Sequence, residues 1–327
     1  TPERILMAGL ALGVAHLLKF SLFLLIPVYG VLFLLWVFLE TREEENRAFL
    51  FLKLLIIGFI GLALIWAVYL WHVWNYPPER QLGDAEIILS SFGFRPVVEL
   101  NLWLIKNEFL RPLGQYFLGL LMVVQRSAGG NTTYYLGEVS AAGWSSYFPV
   151  AYLLKESVAF HFLTVLSLFL ALRKIKESHE KNIKALLSWL RDNFVLAASL
   201  IFIVFFWTYS FKSPLNIGVR HVLPTFPFIY LLVSRELVAW LYRPALEETR
   251  SLGMWIRHIY RNFIEPIPKL ILVSFLLLWL AISVIITFPF YLSYYNEFIG
   301  IENGYRYIVD SNYDWGQDLK RLRDLVE

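Results

Sequence analysis

Leu270-Ile271-Leu272-Val273-Ser274-Phe275-Leu276-Leu277-Leu278-Trp279-Leu280-Ala281-Ile282-Ser283-Val284-Ile285-Ile286-Thr287-Phe288-Pro289-Phe290 runs without a single charged residue. A helix needs about 20 apolar residues to cross the hydrocarbon of a bilayer, so this stretch reads as a transmembrane span. Similar stretches lie at residues 49–74, 148–172, 194–211 and 219–242. The opening stretch, residues 5–39, is too long for one crossing and is interrupted by His16, Lys19, Ser21 and Pro27. It reads as two short helices meeting near Lys19, since proline and polar side chains break a helix in lipid. The total is about seven spans.

Composition agrees. Of 327 residues, 58% are hydrophobic, 17% aromatic and only 17% charged, more apolar surface than a soluble core of this length hides. The reading is an all-α polytopic membrane protein. A net charge of +3, with lysine and arginine in blocks between apolar spans, argues against nucleic acid as a partner. There is no cysteine, which excludes disulfides, thiol catalysis and thiolate metal sites. The chain opens at Thr1 without an initiator or a charged leader and reads as a processed or incomplete piece.

Charge orients the spans. Residues 173–193 carry Arg173, Lys174, Lys176, Lys181, Lys184 and Arg191, and residues 242–269 carry Arg243, Arg250, Arg257, Arg261 and Lys269. Both are expected in the cytoplasm with the short loop 40–48. Residues 76–147 spread only Arg80, Arg95, Lys106, Arg111 and Arg126 over a longer stretch, and are expected outside with the link 212–218 and the C-terminal tail. Within the outer loop, residues 97–124 mix apolar and charged residues at helical spacing around Pro112, a pattern for helices lying on the membrane surface. The chain thus divides into a transmembrane domain, 1–292, and an outer-face segment, 293–327, that reads as the start of a soluble region. The protein is expected to be multi-pass, in a prokaryotic plasma membrane or the endoplasmic reticulum, with its tail on the outer or lumenal side.

Charges at membrane depth are functional candidates by default. Lys19, at the predicted break, offers a point charge for a lipid phosphate, or snorkels to an interface with only its stem buried. Arg220-His221 opens a helix disrupted by Pro224 and Pro227; a guanidinium grips phosphate bidentately and an imidazole adds a hydrogen bond, although Arg220 alone also marks an interface. Glu138 lies between Tyr134-Tyr135-Leu136-Gly137 and Gly143-Trp144, and fits either an acceptor-site residue or a helix cap. After the last span come Tyr294-Tyr295-Asn296-Glu297 and then Asp310-Ser311-Asn312-Tyr313-Asp314-Trp315-Gly316-Gln317-Asp318. Aromatic faces beside carboxylates and amides suit a sugar, which makes Asp310, Asn312, Asp314 and Trp315 contact candidates. The run also matches the opening of a calcium loop, but Trp315 stands at the glycine position and Arg321 at the bidentate glutamate. The six histidines, at 16, 72, 161, 179, 221 and 258, include no pair with zinc-ligand spacing, and no metal ligand is assigned.

These segments resemble the membrane-embedded transferases that take a sugar from a polyprenyl phosphate, the superfamily of protein O-mannosyltransferases and lipid A aminoarabinose transferases. The matching pieces are Gly9-Leu10-Ala11-Leu12-Gly13 leading to Leu18-Lys19-Phe20, Tyr135-Leu136-Gly137-Glu138 with Gly143-Trp144 and Tyr147-Phe148-Pro149, Gly218-Val219-Arg220-His221-Val222-Leu223-Pro224, and Asp310 to Asp318. The resemblance implies a C-type glycosyltransferase-like helical bundle and transfer of a hexose or pentose to a protein or lipid acceptor at the outer face. A carboxylate would activate the acceptor while cationic groups stabilise the leaving lipid phosphate; a divalent ion assists in some relatives, and nothing here fixes one. The family's catalytic acidic residue lies in the first outer loop, upstream of Thr1, so it has no counterpart in this sequence. That departure keeps open a non-catalytic assembly subunit of the same fold. A transporter using Lys19 and Arg220 as midplane ligands is the third reading.

Overall fold

The computed structural model describes residues 1–39, 47–177, 182–242, 252, 253, 256 and 260–327. It is helical almost throughout and divides into two compact units, Thr1–Gly129 and Gly130–Glu327. Five helices among the described residues are long and apolar enough to cross a membrane: Phe20–Leu39, Ala48–Val73, Val158–Glu177, Phe194–Lys212 and Ile267–Thr287. Large apolar side chains crowd their exposed faces, Phe59 at 73% and Ile286 at 76% exposure among them. Aqueous surfaces rarely carry contiguous apolar patches of that kind, and lipid accepts them. The protein is an all-α, multi-pass membrane protein by these features. The loops 40–48, 173–193 and 242–269 fall partly outside the described residues.

In the first unit, α1 (Pro2–Leu18) ends where Lys19 adopts an extended backbone (φ −158°, ψ 125°), and a 3-10 turn, Phe20–Leu24, leads into α2 (Leu25–Leu39). The expected interruption therefore falls at Lys19. Pro27 interrupts nothing, because it sits in the first turn of α2, where no intrahelical N–H bond is lost. Helix α1 packs on α3 (Arg47–Val73). Gly9 and Gly13, one turn apart, make that approach possible: a methyl group on Gly13 would lie 2.9 Å from the carbonyl oxygen of Gly61. Small residues at such spacing let helix backbones meet in lipid. The segment expected outside forms α4 (Pro78–Ile88), α5 (Arg95–Lys106) and α6 (Arg111–Gly129), with Pro112 inside the first turn of α6 instead of mid-helix. Ala85, Leu89, Val98, Ile105, Leu118 and Leu121 are their shared core. Arg111 ties the group to the end of α3, its NH2 donating to the carbonyls of Val73 at 3.4 Å and of Tyr76 beyond it, and its Nε to Gln81 Oε1 on α4 at 2.9 Å.

The second unit opens with a hairpin that the helical reading of the sequence leaves out, β1 (Thr133–Tyr135) paired antiparallel with β2 (Glu138–Ser140) in the register Tyr135↔Glu138. Both turn residues have positive φ, Leu136 at 50° and Gly137 at 95°. This is the backbone of a two-residue turn matched to strand twist. Then come α7 (Tyr147–Lys155), α8 (Val158–Glu177), α9 (Ile183–Asp192), α10 (Phe194–Lys212), α11 (Phe226–Leu241), α12 (Ile267–Thr287) and α13 (Leu319–Val326). The expected span 148–172 begins at Val158, since the helix breaks at Glu156 (φ −99°, ψ 147°). The expected span 219–242 yields a shorter helix, because two 3-10 turns, Val219–His221 and Leu223–Thr225, occupy its start around Pro224. Helices α8, α11 and α12 share a core of Phe160, Leu163, Leu170, Val233, Leu237 and Leu276.

Candidate functional site

The sequence candidates of the second unit gather at one aromatic core made of Tyr135, Tyr147, Phe148, Val222, Phe226, Tyr295 and Ile308. The tail is folded onto it. The N–H of Leu136 donates to the carbonyl of Tyr307 at 2.8 Å, and the hydroxyl of Tyr295 donates to the carbonyl of Ile308. Asn312, 1% exposed, is the cross-piece: its Oδ1 accepts the Val219 N–H at 2.8 Å, and its Nδ2 donates to the Tyr147 hydroxyl at 2.9 Å. Asn216 does the same for the hairpin side, its Oδ1 accepting the Trp144 N–H at 2.7 Å. Gly218, φ 90°, lets the tail come this close, because a Cβ there would lie 2.6 Å from Ser311 Oγ. Three of the four pieces that supply the resemblance thus meet in one hydrogen-bonded cluster, while the first, Gly9 to Phe20, belongs to the other unit.

That geometry sorts the candidates. Arg220 is exposed, its guanidinium 4.6 Å from the ring centre of Trp315 and its Nε donating to the carbonyl of Ile217 at 3.0 Å. Trp315 is fixed from the other side by Nε1 donating to the Ser311 carbonyl at 2.8 Å, so cation and ring form an open, polar platform. Asp314 accepts the Gly316 N–H at 2.8 Å and shapes the turn beside it. His221, although adjacent to Arg220 in sequence, turns into the helices and stacks on Phe148 with ring centres 4.8 Å apart. Its ring lies among Phe148, Phe206 and Tyr209. Asn312 is buried structure, which accounts for it without a sugar. Glu138 is exposed on β2 and caps no helix among the described residues. The side chain of Asp310 lies outside the described residues. Lys19 belongs to the first unit, exposed at its helix break.

The sequence reading passed over the corner between α7 and α8. Lys155 donates to two carbonyls, Leu292 and Asn312, each at 2.7 Å, and stands 4.4 Å from the ring centre of Tyr295. Burial alone pulls its ammonium down to about 7. Glu156 takes the hydroxyl of Tyr230 at 2.8 Å and the N–H of Ser157 at 3.2 Å; burial raises it above the ordinary carboxylate range, against the lowering effect of those two bonds. Glu297 supplies the missing cap of α8 by accepting the Val158 N–H at 3.1 Å, with Ser283 also donating to it. Burial pushes its carboxyl up, but the bonds from Ser283, its own backbone N–H, Val158 and Trp279 outweigh that and hold it below the usual range. The signal was in view: Lys155-Glu156-Ser157 is the polar break inside an otherwise apolar stretch.

This corner heads a cleft of about 580 Å³ between α8, α11 and α12. Lys155, Glu156, Ser157 and Tyr294 line its polar end, while Phe160, Leu163, Val233, Leu237, Leu277 and Leu280 wall the remainder. A second cleft of about 440 Å³ lies across Ser283, Thr287 and Tyr294 and is lined by Glu297, Glu302 and Asn303. Among the described residues no group of three histidines or carboxylates could hold a metal ion. No protein-family model matches this chain, and neither a curated protein nor a solved structure matches it.

Proposed function

We propose that this protein is a membrane glycosyltransferase that moves a hexose or pentose from a polyprenyl-phosphate donor to a protein or lipid acceptor at the outer or lumenal face. The observation that carries the reading is the cleft of about 580 Å³: its wall is mostly aliphatic and aromatic, and its charged groups, Lys155 and Glu156, lie at the α7–α8 corner, where Lys155 bonds to the folded tail. Ligand sites of this size are mostly apolar with a few placed polar groups, and here a largely apolar wall beside one charged corner matches an amphiphile better than a small polar solute. The Arg220–Trp315 platform lies exposed in the same unit and offers a cation and a ring face, the chemistry of phosphate and sugar recognition.

The test is transfer itself. Membranes containing the full-length protein are supplied with radiolabelled polyprenyl-phosphate sugars and scored for label in protein and in lipid. Label transfer that depends on the protein supports the reading. Absence of transfer, with the protein purifying as an obligate part of a larger complex, would assign it to assembly. Uptake of a solute into proteoliposomes without any transfer would assign it to transport.

A further inference from the structure

We infer that Lys155 is the anion-holding residue of the cleft between α8, α11 and α12, which takes an amphiphile with one phosphate headgroup on a hydrocarbon chain. The inference rests on the transferase reading for its biological ligand, and it replaces Lys19 and Arg220 as the first choice for the lipid phosphate.

Three observations lead to it. An ammonium carries three N–H donors, and two are spent on the carbonyls of Leu292 and Asn312, leaving one without an acceptor among the described residues. No carboxylate forms an ion pair with Lys155 among those residues, so a cation sits at the head of an apolar cleft without a counter-charge. The two carbonyls and the Tyr295 ring hold the Nζ in place, so little side-chain freedom remains to be lost when an anion arrives.

The neighbouring titratable groups are compatible with that role. Glu156 is turned to Tyr230 on α11, and burial favours its neutral form. Glu297 is engaged by Ser283 and the Val158 N–H. The Tyr295 ring stands beside the Nζ, and Tyr230, Tyr291 and Tyr294 line the cleft.

Binding is measured on the full chain in nanodiscs with farnesyl phosphate, farnesol and inorganic phosphate as probes. Farnesyl phosphate is expected to bind about tenfold or more tightly than farnesol, the ratio of one charged hydrogen bond. Lys155→Met should erase that ratio. Wild-type affinity should also fall as pH rises from 7 to 9. In that range the probe, whose second ionisation is near pH 6, keeps its charge, and Lys155 loses the proton that binding requires. Because Lys155→Met could unfold the corner, Val284→Phe serves as a second variant that narrows the apolar wall at a residue that makes none of the ammonium's hydrogen bonds. It should weaken farnesyl phosphate and farnesol alike. Equal affinity for farnesyl phosphate and farnesol, or an unchanged ratio in a folded Lys155→Met, overturns the proposal. Inorganic phosphate binding as tightly as farnesyl phosphate overturns the amphiphile in favour of a free anion. None of these readouts measures sugar transfer, so failure of the transferase reading and failure of this one remain separable.

Discussion

The carboxamide oxygen of Asn312 accepts the backbone N–H of Val219, a residue 93 positions earlier, at 2.8 Å. One side chain in the tail therefore closes the turn that launches α11 and, through Nδ2, also holds Tyr147 at the start of α7. Asn312→Ala removes the acceptor of the Val219 N–H and a donor to the Tyr147 hydroxyl. Each such loss costs about 1–3 kcal/mol, so thermal unfolding in detergent should shift down by several degrees. An unshifted midpoint would show that the tail does not brace the helices.

Gly218→Ala tests the same junction from the backbone. It places a Cβ at φ 90° and within 2.6 Å of Ser311 Oγ, and is expected to destabilise by about 1–3 kcal/mol. Gly316→Ala, also at positive φ (80°) but with its nearest neighbour 3.4 Å away, isolates the conformational part of that cost. The difference between the two variants reads the steric part.

How much of this was legible in the sequence differs by element. Four of the five long spans were, because length and apolarity dictate them, and so was the break at Lys19, whereas 219–242 proved too short once two 3-10 turns took its start. The hairpin was not: Leu136-Gly137 lacks the asparagine or aspartate that announces such a turn, and its strands are short. The corner at Lys155 was hidden because apolar residues on both sides join into one apparent span. Asn312 was read as a sugar contact because an amide among aromatics suits a ligand and a buried cross-link equally well, and only the positions of Val219 and Tyr147 distinguish them.

Arg220→Ala and Trp315→Ala separate function from folding. The pair is exposed, and an exposed cation–π contact contributes only about 0.5–1 kcal/mol, so both variants should fold. Under the transferase reading both should lose most turnover in the complete enzyme, and Arg220→Lys should recover little, because the stacked, forked guanidinium is what it lacks. Wild-type turnover in Arg220→Ala would remove the platform from the site.

Glu297 sets an acid limit. Its carboxyl titrates below the ordinary range in the folded protein, so its contribution is complete above the unfolded value, about 4.3, and disappears as pH falls through the lower folded value. Wild type should therefore lose more stability than Glu297→Gln between pH 5 and strongly acidic conditions, by about 1–2 kcal/mol, as followed by chemical denaturation. Parallel curves for the two proteins would dissociate the carboxylate from the α8 cap.

Orientation is open to direct labelling, since no native cysteine competes. The basic residues after α8 predict that Lys184→Cys reacts with an impermeant maleimide only after permeabilisation, and that Glu138→Cys reacts in intact cells. The opposite pattern would invert the topology.

The cross-links of the tail also impose an order on biogenesis. Tyr134 reaches the carbonyl of Arg306, Thr133 that of Asn216, and Lys155 that of Asn312, so the hairpin and the α7–α8 corner bond to residues synthesised long after them. Closing contacts across such separations costs loop entropy in advance, and local helices form first. During synthesis the early helices of this unit thus enter the membrane with the partners of Val219, Tyr147 and Lys155 still unmade. A ribosome stalled before residue 312 would hold an inserted but unlatched bundle, open to proteases and chaperones at that end, and emergence of Asn312 would be the event that shuts it.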